Sequence, residues 1–402
     1  MLRRAIPVLA IAVVVSALVA AGCKPPDTGV TGPTPGATGP VAKGKAPTPG
    51  VPAVPAELKY PDKYECIFDA DCKWLEGEAQ KEMNSALSRF AEIDVVYAHN
   101  DPSAHGAFMA AQQEGKGREK TIKFIGIDAN PDEGLRYIRE GVLSVTFDYQ
   151  TGAAEGIKAA VRILAAEKLP QNITLGTKII TPDNIEQGGE YVPPDAREGW
   201  ETVDVLDKGP LPKLPKAKYV IGYSQCNLGE PWRIRMNAEL QKAAEAHPAL
   251  ELMMKDAQNK TETQQSQVRE FITQKVDLII ISPKEAGPLT APVKEAMDAE
   301  IPVIVLDRKV EGEDYTCFIG GDNVMIGRLA GNWVREQFPD GAKIVELKGL
   351  MTSTPAGERH QGFLEGLNAI GPGGAAPAPT AGGPTESKTE TGPTPAETKK
   401  TG

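Results

Sequence analysis

Five apolar, β-branched runs in this chain each end in side chains able to grip a small polar molecule. DVVYAHND ends in Asn100 and Asp101, KFIGID in Asp128, VIGYSQ in Ser224 and Gln225, LIIISP in Ser282, and VIVLDR in Asp307 and Arg308. Trp232 and Arg233 follow the third run closely. Carboxylates, amides and guanidinium groups bridge neighbouring hydroxyls as coplanar acceptors and donors, while an indole covers an apolar C–H face. Such a set suits a ligand of sugar type. No GxSxG, HExxH, Walker or GxGxxG signature accompanies it, so hydrolase, protease, nucleotide and dinucleotide chemistry have no support, and the chain is expected not to be an enzyme. His99 and His105 lie six positions apart across a strand-to-helix junction with no third ligand in sight. They read as structural, and neither a metal nor a cofactor is expected.

The elements that must position these residues can be read from periodicity. Asp94–Tyr97, Lys123–Ile127, Tyr219–Tyr223, Leu278–Ile281, Val303–Leu306 and Lys343–Leu347 have strand character. Between them lie helical patterns such as Trp232, Met236, Leu240 and Ala243, spaced by four and three. Alternation of this kind builds βαβ units and a parallel sheet, with ligands held beyond the carboxyl ends of the strands. That rule places all the polar residues named above on one rim.

The rest of the chain frames this α/β core. Of 402 residues, 34 are proline and 41 glycine, and they concentrate in segments with little to bury, so the folded part is shorter than the chain. Residues 1–23 read as an export signal whose AAGC ending resembles that of bacterial lipoproteins, with Cys23 the lipidated residue. Residues 24–58 read as a Pro/Gly-rich tether to the membrane, 186–217 as a linker with some aromatic anchors between structured blocks 59–185 and 218–370, and 371–402 as a disordered tail. The net charge of −10, without a basic stripe, excludes nucleic acid as a partner. Cys66, Cys72, Cys226 and Cys317 are too few for a disulfide framework; Cys66 and Cys72 could pair locally or stay free.

Seven motifs, KYVIGYSQCNLGEPWR, DLIIISPKEA, IPVIVLDRKV, DNVMIGRLAGNW, VELKGLMTSTPAGERHQGFLEGL, VVYAHNDPSAHGAFMAAQQEG and FIGIDANPD, together resemble the periplasmic sugar-binding proteins of ABC importers, the ribose- and galactofuranose-binding members most of all. The resemblance covers most of both structured blocks, but its order is rotated: the family's second half occupies about 60–190 and its first half 218–370. A circular permutation accounts for this, the alternatives being a scramble that does not fold and a dimer that swaps segments. The new ends would fall in a helix-to-strand loop away from the ligand, where cuts are tolerated. The implied fold has two lobes, each a parallel sheet flanked by helices, one from 149–185 with 218–321 and the other from 59–148 with 322–370. Crossings between them are expected near Asp148, Thr181 to Asn184, and Gly320 to Asn323.

The same resemblance implies the site. Asp307, Arg308, Asn100, Asp128 and Arg359 match ligand-contacting positions, Asp101 being better suited than Asn100 to cap the following helix. Trp232 would stack on the sugar with Arg233 beside it, unless it serves the core. The second aromatic position holds Cys72, with Trp74 two residues on; either Trp74 swings in or the pocket differs. Asp148 stands near a polar contact at the final crossing, with Ser224 at the rim. The implied role is to close on a monosaccharide and present it to an ABC permease, as a lipid-anchored monomer outside the cytoplasm. The rival role is a sensor that hands its closed form to a signalling receptor.

Overall fold

A computed structural model describes residues 58–370. Cys23, the export signal, nearly all of the tether and the tail lie outside the described residues. In chain order the elements are β1 (Tyr64–Asp71), α1 (Glu76–Arg89), β2 (Val95–Ala98), α2 (Asp101–Gln113), β3 (Lys123–Asp128), α3 (Gly134–Arg139), β4 (Val145–Asp148), α4 (Ala153–Leu164), β5 (Asn172–Leu175), β6 (Thr177–Ile180) and β7 (Glu190–Val192). They continue with β8 (Trp200–Thr202), β9 (Tyr219–Gln225), α5 (Pro231–Glu245), β10 (Leu250–Asp256), α6 (Thr261–Gln274), β11 (Leu278–Ser282), α7 (Ala286–Asp298), β12 (Val303–Leu306), β13 (Cys317–Gly321), α8 (Asn323–Gln337), β14 (Ala342–Lys348) and α9 (Thr354–Leu367).

These strands form two seven-stranded sheets, ordered β1-β14-β2-β3-β4-β6-β7 and β10-β9-β11-β12-β13-β5-β8. Every pairing is parallel except those of β6 with β4 and with β7. Parallel strands need both faces covered, and here helices cover them: Met83, Ala86, Ala107 and Ala110 pack on one face of the first sheet beside Phe124 and Leu347. Phe271, Leu289 and Val293 pack on the second sheet beside Ile279 and Val305.

The first sheet draws strands from both ends of the described chain, whereas the second is built from residues 172–321 alone. β14 is inserted between β1 and β2, with Val345 beside Phe68 on one side and Val96 on the other. Asn368, just after α9, donates its side-chain amide to the Lys59 carbonyl at 2.8 Å, so the two ends of the described chain touch.

The chain passes between the sheets after β4, at Gly176 between β5 and β6, between β7 and β8, and at Asp322 between β13 and α8. The second crossing corrects the expectation of Thr181 to Asn184. Thr177–Ile180 pairs antiparallel with β4, which moves β6 from the lobe expected to contain 149–185 to the other lobe. The stretch expected to be an irregular linker supplies one edge strand of each sheet, β7 and β8.

One packing detail fixes the site directly. A Cβ on Gly327 would lie 2.2 Å from the Arg359 carbonyl oxygen, and one on Gly362 1.9 Å from that of Val324. Glycine at these positions lets α8 and α9 meet backbone to backbone, which brings Asn323 and Arg359 together at their amino ends.

Candidate functional site

The carboxyl ends of the two sheets face each other across a narrow cleft enclosing about 290 Å³ of empty space, open solvent included. Its walls carry Trp74, Asn100, Asp128, Tyr149, Pro355 and Arg359, and opposite them Glu230, Trp232, Arg233, Asp307 and Arg308. The lobes touch around this cleft. Thr352 donates its hydroxyl to Glu285 at 3.0 Å, the Lys309 N–H donates to the Thr354 hydroxyl at 3.1 Å, and Arg308 lies over the Trp74 ring at 5.5 Å. The geometry is that of a closed form.

Asp307 is the centre of the second sheet's wall. It leaves β12 with φ 67°, in the left-handed region that a β-carbon disfavours, and this turn aims its carboxylate across the strand ends. Arg233 donates to it at 2.7 Å and the Tyr149 hydroxyl at 2.8 Å, with Arg308 at 3.6 Å. Burial alone would raise its pKa; the guanidinium groups of Arg233 and Arg308 outweigh that and hold it below the usual carboxylate value. Arg233, only 2% exposed, also donates to Ser282 at 2.7 Å, so this wall is a fixed charge network. Pro231 opens α5 and places Trp232 one residue on. The Trp232 indole stacks on Tyr149 at 5.3 Å and donates to the Tyr149 carbonyl at 2.8 Å.

On the first sheet's wall, Asn100 caps α2 by accepting from the Ser103 N–H, while its amide nitrogen donates to the Trp74 carbonyl at 3.1 Å. Asp101 therefore does not cap the helix. It is buried beneath the site, accepting from the Ala129 N–H at 2.7 Å and the Thr146 hydroxyl at 2.7 Å, and burial raises its pKa to about 7. Asp128 ends β3 with φ 132°; burial, with the Asp101 carboxylate close by, raises its pKa well above the ordinary value. Arg359 is held by the Asn323 side chain at 2.9 Å and by the His99 carbonyl, and its guanidinium lies over both Tyr149 (4.4 Å) and Trp74 (5.3 Å).

His99 fixes this wall from behind. Its Nδ1 accepts from the Gly349 N–H at 3.2 Å, so Nε2 carries the proton and donates to Glu346 at 3.0 Å. Burial pushes its pKa down to about 4, leaving it neutral. Glu346 is also held by His360 at 2.8 Å and by the Tyr60 hydroxyl at 2.7 Å. Burial would raise the Glu346 pKa, but the bonds from His360 and His99 hold it well below the ordinary value. His105 stacks flat on Tyr137, 4.4 Å between ring centres. Among the described residues no group of three or more His, Cys, Asp or Glu is placed to hold a metal.

Two sheets meeting at their carboxyl ends around one polar, aromatic-walled cleft is the setting in which the comparison with known families is decisive. The family described as periplasmic binding protein domain matches residues 48–168 and 221–399. The chain belongs to that family. Among its curated relatives, the galactofuranose-binding protein of Escherichia coli (strain K12) is 36% identical over 155 residues, covering 38% of this chain and 48% of that protein. The ribose import binding protein of Bacillus subtilis (strain 168) is 29% identical over 148 residues, 37% of this chain and 48% of that protein. The solved periplasmic binding protein component of the arabinose ABC transporter from Shewanella sp. ANA-3 is 33% identical over 37% of this chain and 50% of that one, with a TM-score of 0.35. The chain spans about half the length of the curated relatives it matches.

Of the residues expected in the site of this periplasmic binding protein, the structure brings Trp74, Asn100, Asp128, Trp232, Arg233, Asp307, Arg308 and Arg359 to one cleft. It does not bring Asp148 or Ser224 there. Asp148 lines a separate hollow with Lys178 and Arg235, one residue short of Tyr149, which takes the place in the cleft. Ser224 is fully buried and donates to Gln267 at 2.8 Å. Trp74 enters the cleft because Lys73 and Trp74 both take left-handed backbone, φ 55° and 70°. Gly349 leaves room for its ring, since a Cβ there would lie 2.2 Å from it. Cys72 is tucked under α1 instead, and Cys66, Cys72, Cys226 and Cys317 are all free. Sequence reasoning missed Tyr149, Glu230 and Pro355. The signals were slight: a one-residue register at a crossing, and the residues just before and just inside helix starts.

Proposed function

We propose that this chain binds a monosaccharide between its two lobes and delivers it to an ABC importer, anchored outside the cytoplasm by lipid on Cys23. The observation that carries the reading is a set of polar groups in the closed cleft that the protein itself leaves unused. The Trp74 indole nitrogen and the Arg233 Nε are buried without a hydrogen bond, the Arg233 Nε having only the Glu230 carboxylate at 3.9 Å, and the raised Asp128 carboxyl faces the same space without a protein donor. Buried polar groups of this kind cost stability unless something pairs with them. Hydroxyl groups on a small ring offer both the acceptors and the donors, and the Trp74 and Trp232 rings supply faces for its C–H surface. The names of the ribose- and galactofuranose-binding relatives agree with this chemistry. Calorimetric titration of the purified protein with D-ribose, D-galactose, D-fructose and L-arabinose is expected to give one-to-one binding of at least one of them, with the sugar recovered unchanged. Binding of none would end the proposal.

We also read the chain as a circular permutant of the family's usual order. The insertion of β14 between β1 and β2, and the contact of Asn368 with Lys59, support that reading. A gene rearranged so that 218–370 precedes 59–185 should yield a folded protein that binds the same sugar; an insoluble product would count against it.

A further inference from the structure

The segment between β6 and β9 does more than join two blocks, and we propose that residues 190–202 form a clamp across the hinge that holds the closed form and slows ligand release. The proposal rests on the reading above that the lobes close on a ligand. The clamp has one foot on each lobe: β7 pairs with β6 at the edge of the first sheet, and β8 pairs with β5 at the edge of the second. Only residues 193–199 lie between them, and Pro193 and Pro194 stiffen that span.

The clamp also grips the hinge itself. Opening the lobes must change the backbone at the crossings after β4, at Gly176 and at Asp322. A Cβ on Gly176 would lie 2.6 Å from the Tyr191 hydroxyl and 2.8 Å from the Val192 carbonyl oxygen, so β7 sits directly against that crossing. At the other, Asp322 caps α8 through the Met325 N–H at 3.0 Å. The same carboxylate accepts from the Asp195 N–H at 3.2 Å and from the Arg197 guanidinium. Asp195 in turn accepts from Arg328 at 2.7 Å, and Arg328 donates to Glu365 at 3.0 Å, which ties the span to α8 and α9. On the far side the Trp200 ring packs on Phe318 at 5.9 Å and under the Lys309 ammonium at 4.0 Å, two residues beyond Asp307. Asp322 is almost wholly buried, so these bonds act where charge is poorly screened.

A clamp of this kind changes how often the closed form is visited without touching the ligand, and therefore acts on the dissociation rate. The test uses the full chain with a thrombin recognition sequence inserted between Glu198 and Gly199, cut after folding, alongside Arg197→Ala and Asp195→Asn. Because the cut is made on folded protein, failure to fold cannot imitate its effect. Two readouts are taken: stopped-flow dissociation of whichever of D-ribose, D-galactose, D-fructose and L-arabinose the parent binds, and the inter-lobe distance in sugar-free protein from spin labels at Lys81→Cys and Lys294→Cys. Cutting is expected to lengthen and broaden the distances and to speed dissociation roughly 5-fold or more, the usual scale of coupling between distant sites. Unchanged distances after cutting, or an unchanged dissociation rate in a parent that binds sugar, would overturn the clamp. A parent that binds none of the four sugars would overturn the proposed function instead, and the distances would still decide the clamp.

Discussion

Replacing Asp307 with asparagine tests the charge network that builds one wall of the cleft. The substitution keeps the shape and can keep the 2.8 Å bond from Tyr149, but it removes the negative charge that Arg233 meets at 2.7 Å. Arg233 is 2% exposed and would be left with neutral Ser282 at 2.7 Å and Gln225 at 3.5 Å, and with the Glu230 carboxylate only at 3.9 Å. Breaking a buried pair by removing one partner costs about 3–5 kcal/mol, because the surviving charge stays buried. Asp307→Asn is therefore expected to lower unfolding free energy in urea by that amount and to abolish sugar binding. Adding Arg233→Met removes the stranded charge, so the double variant should recover at least ~2 kcal/mol relative to the sum of the single losses. The pH dependence has a fixed sign. The folded Asp307 pKa lies below its unfolded value of 3.8, so its contribution is present above that value and is lost as pH falls through the folded pKa. The cost of Asp307→Asn should shrink accordingly in strong acid. A loss under ~1 kcal/mol at neutral pH, or a double variant whose cost is the full sum, would refute the reasoning.

Three further outcomes follow from the other wall. His99 has a folded pKa of about 4 against 6.5, so the unfolded state takes up the proton first and stability is lost as pH falls between those values. By pH 5 this amounts to about 2 kcal/mol, and His99→Gln, compared with the parent by urea unfolding at pH 7 and pH 5, should lack that portion of the loss. Gly349→Ala drives a methyl to 2.2 Å from the Trp74 ring; it should cost about 1–3 kcal/mol by thermal unfolding and alter the near-ultraviolet dichroism of the tryptophans. Asp128→Asn removes a carboxylate whose burial disfavours its charge, so the melting temperature at pH 7 should rise while calorimetric sugar affinity falls by at least ~10-fold.

The fold was legible in several strands that are apolar on both faces, though β13 (CFIGG) and β4 (VTFD), also largely buried, were not read from the sequence. Val303–Leu306 has the boundaries read from sequence, and Val95–Ala98 and Leu278–Ser282 differ by a residue. Strands that had no such signal were missed. β1 (YECIFDAD), at the edge of its sheet, is half-buried or exposed after Tyr64, and β7 and β8 are three residues each, recognisable only by what they pair with. The site was legible in outline because strand-end position alone gathers Asp307, Asn100 and Asp128. It failed by one residue at Asp148, where the register at a crossing decides which side chain turns inward, and at Ser224, where Gln267 on α6 draws the hydroxyl away. The exchange of roles between Asn100 and Asp101 was hidden for the same reason: both residue types cap helices, and only the burial of Asp101 under Ala129 and Thr146 separates them.

The seat of β14 between β1 and β2 has a consequence for how this protein comes into being. Tyr64–Asp71 and Val95–Ala98 leave the ribosome well before the strand that joins them, which ends at Lys348, so the first sheet has a gap in its middle until that strand is made. Five adjacent strands of the second sheet, β10, β9, β11, β12 and β13, all lie within 219–321 and can zip together as one local unit. Closing the first sheet must instead bridge some 250 residues, a slow step in any chain that pays loop entropy before it gains contacts. The early strands of this protein thus spend its assembly with bare edges, and whatever shields them in that interval is as much a requirement of the fold as the strand that finally fills the gap.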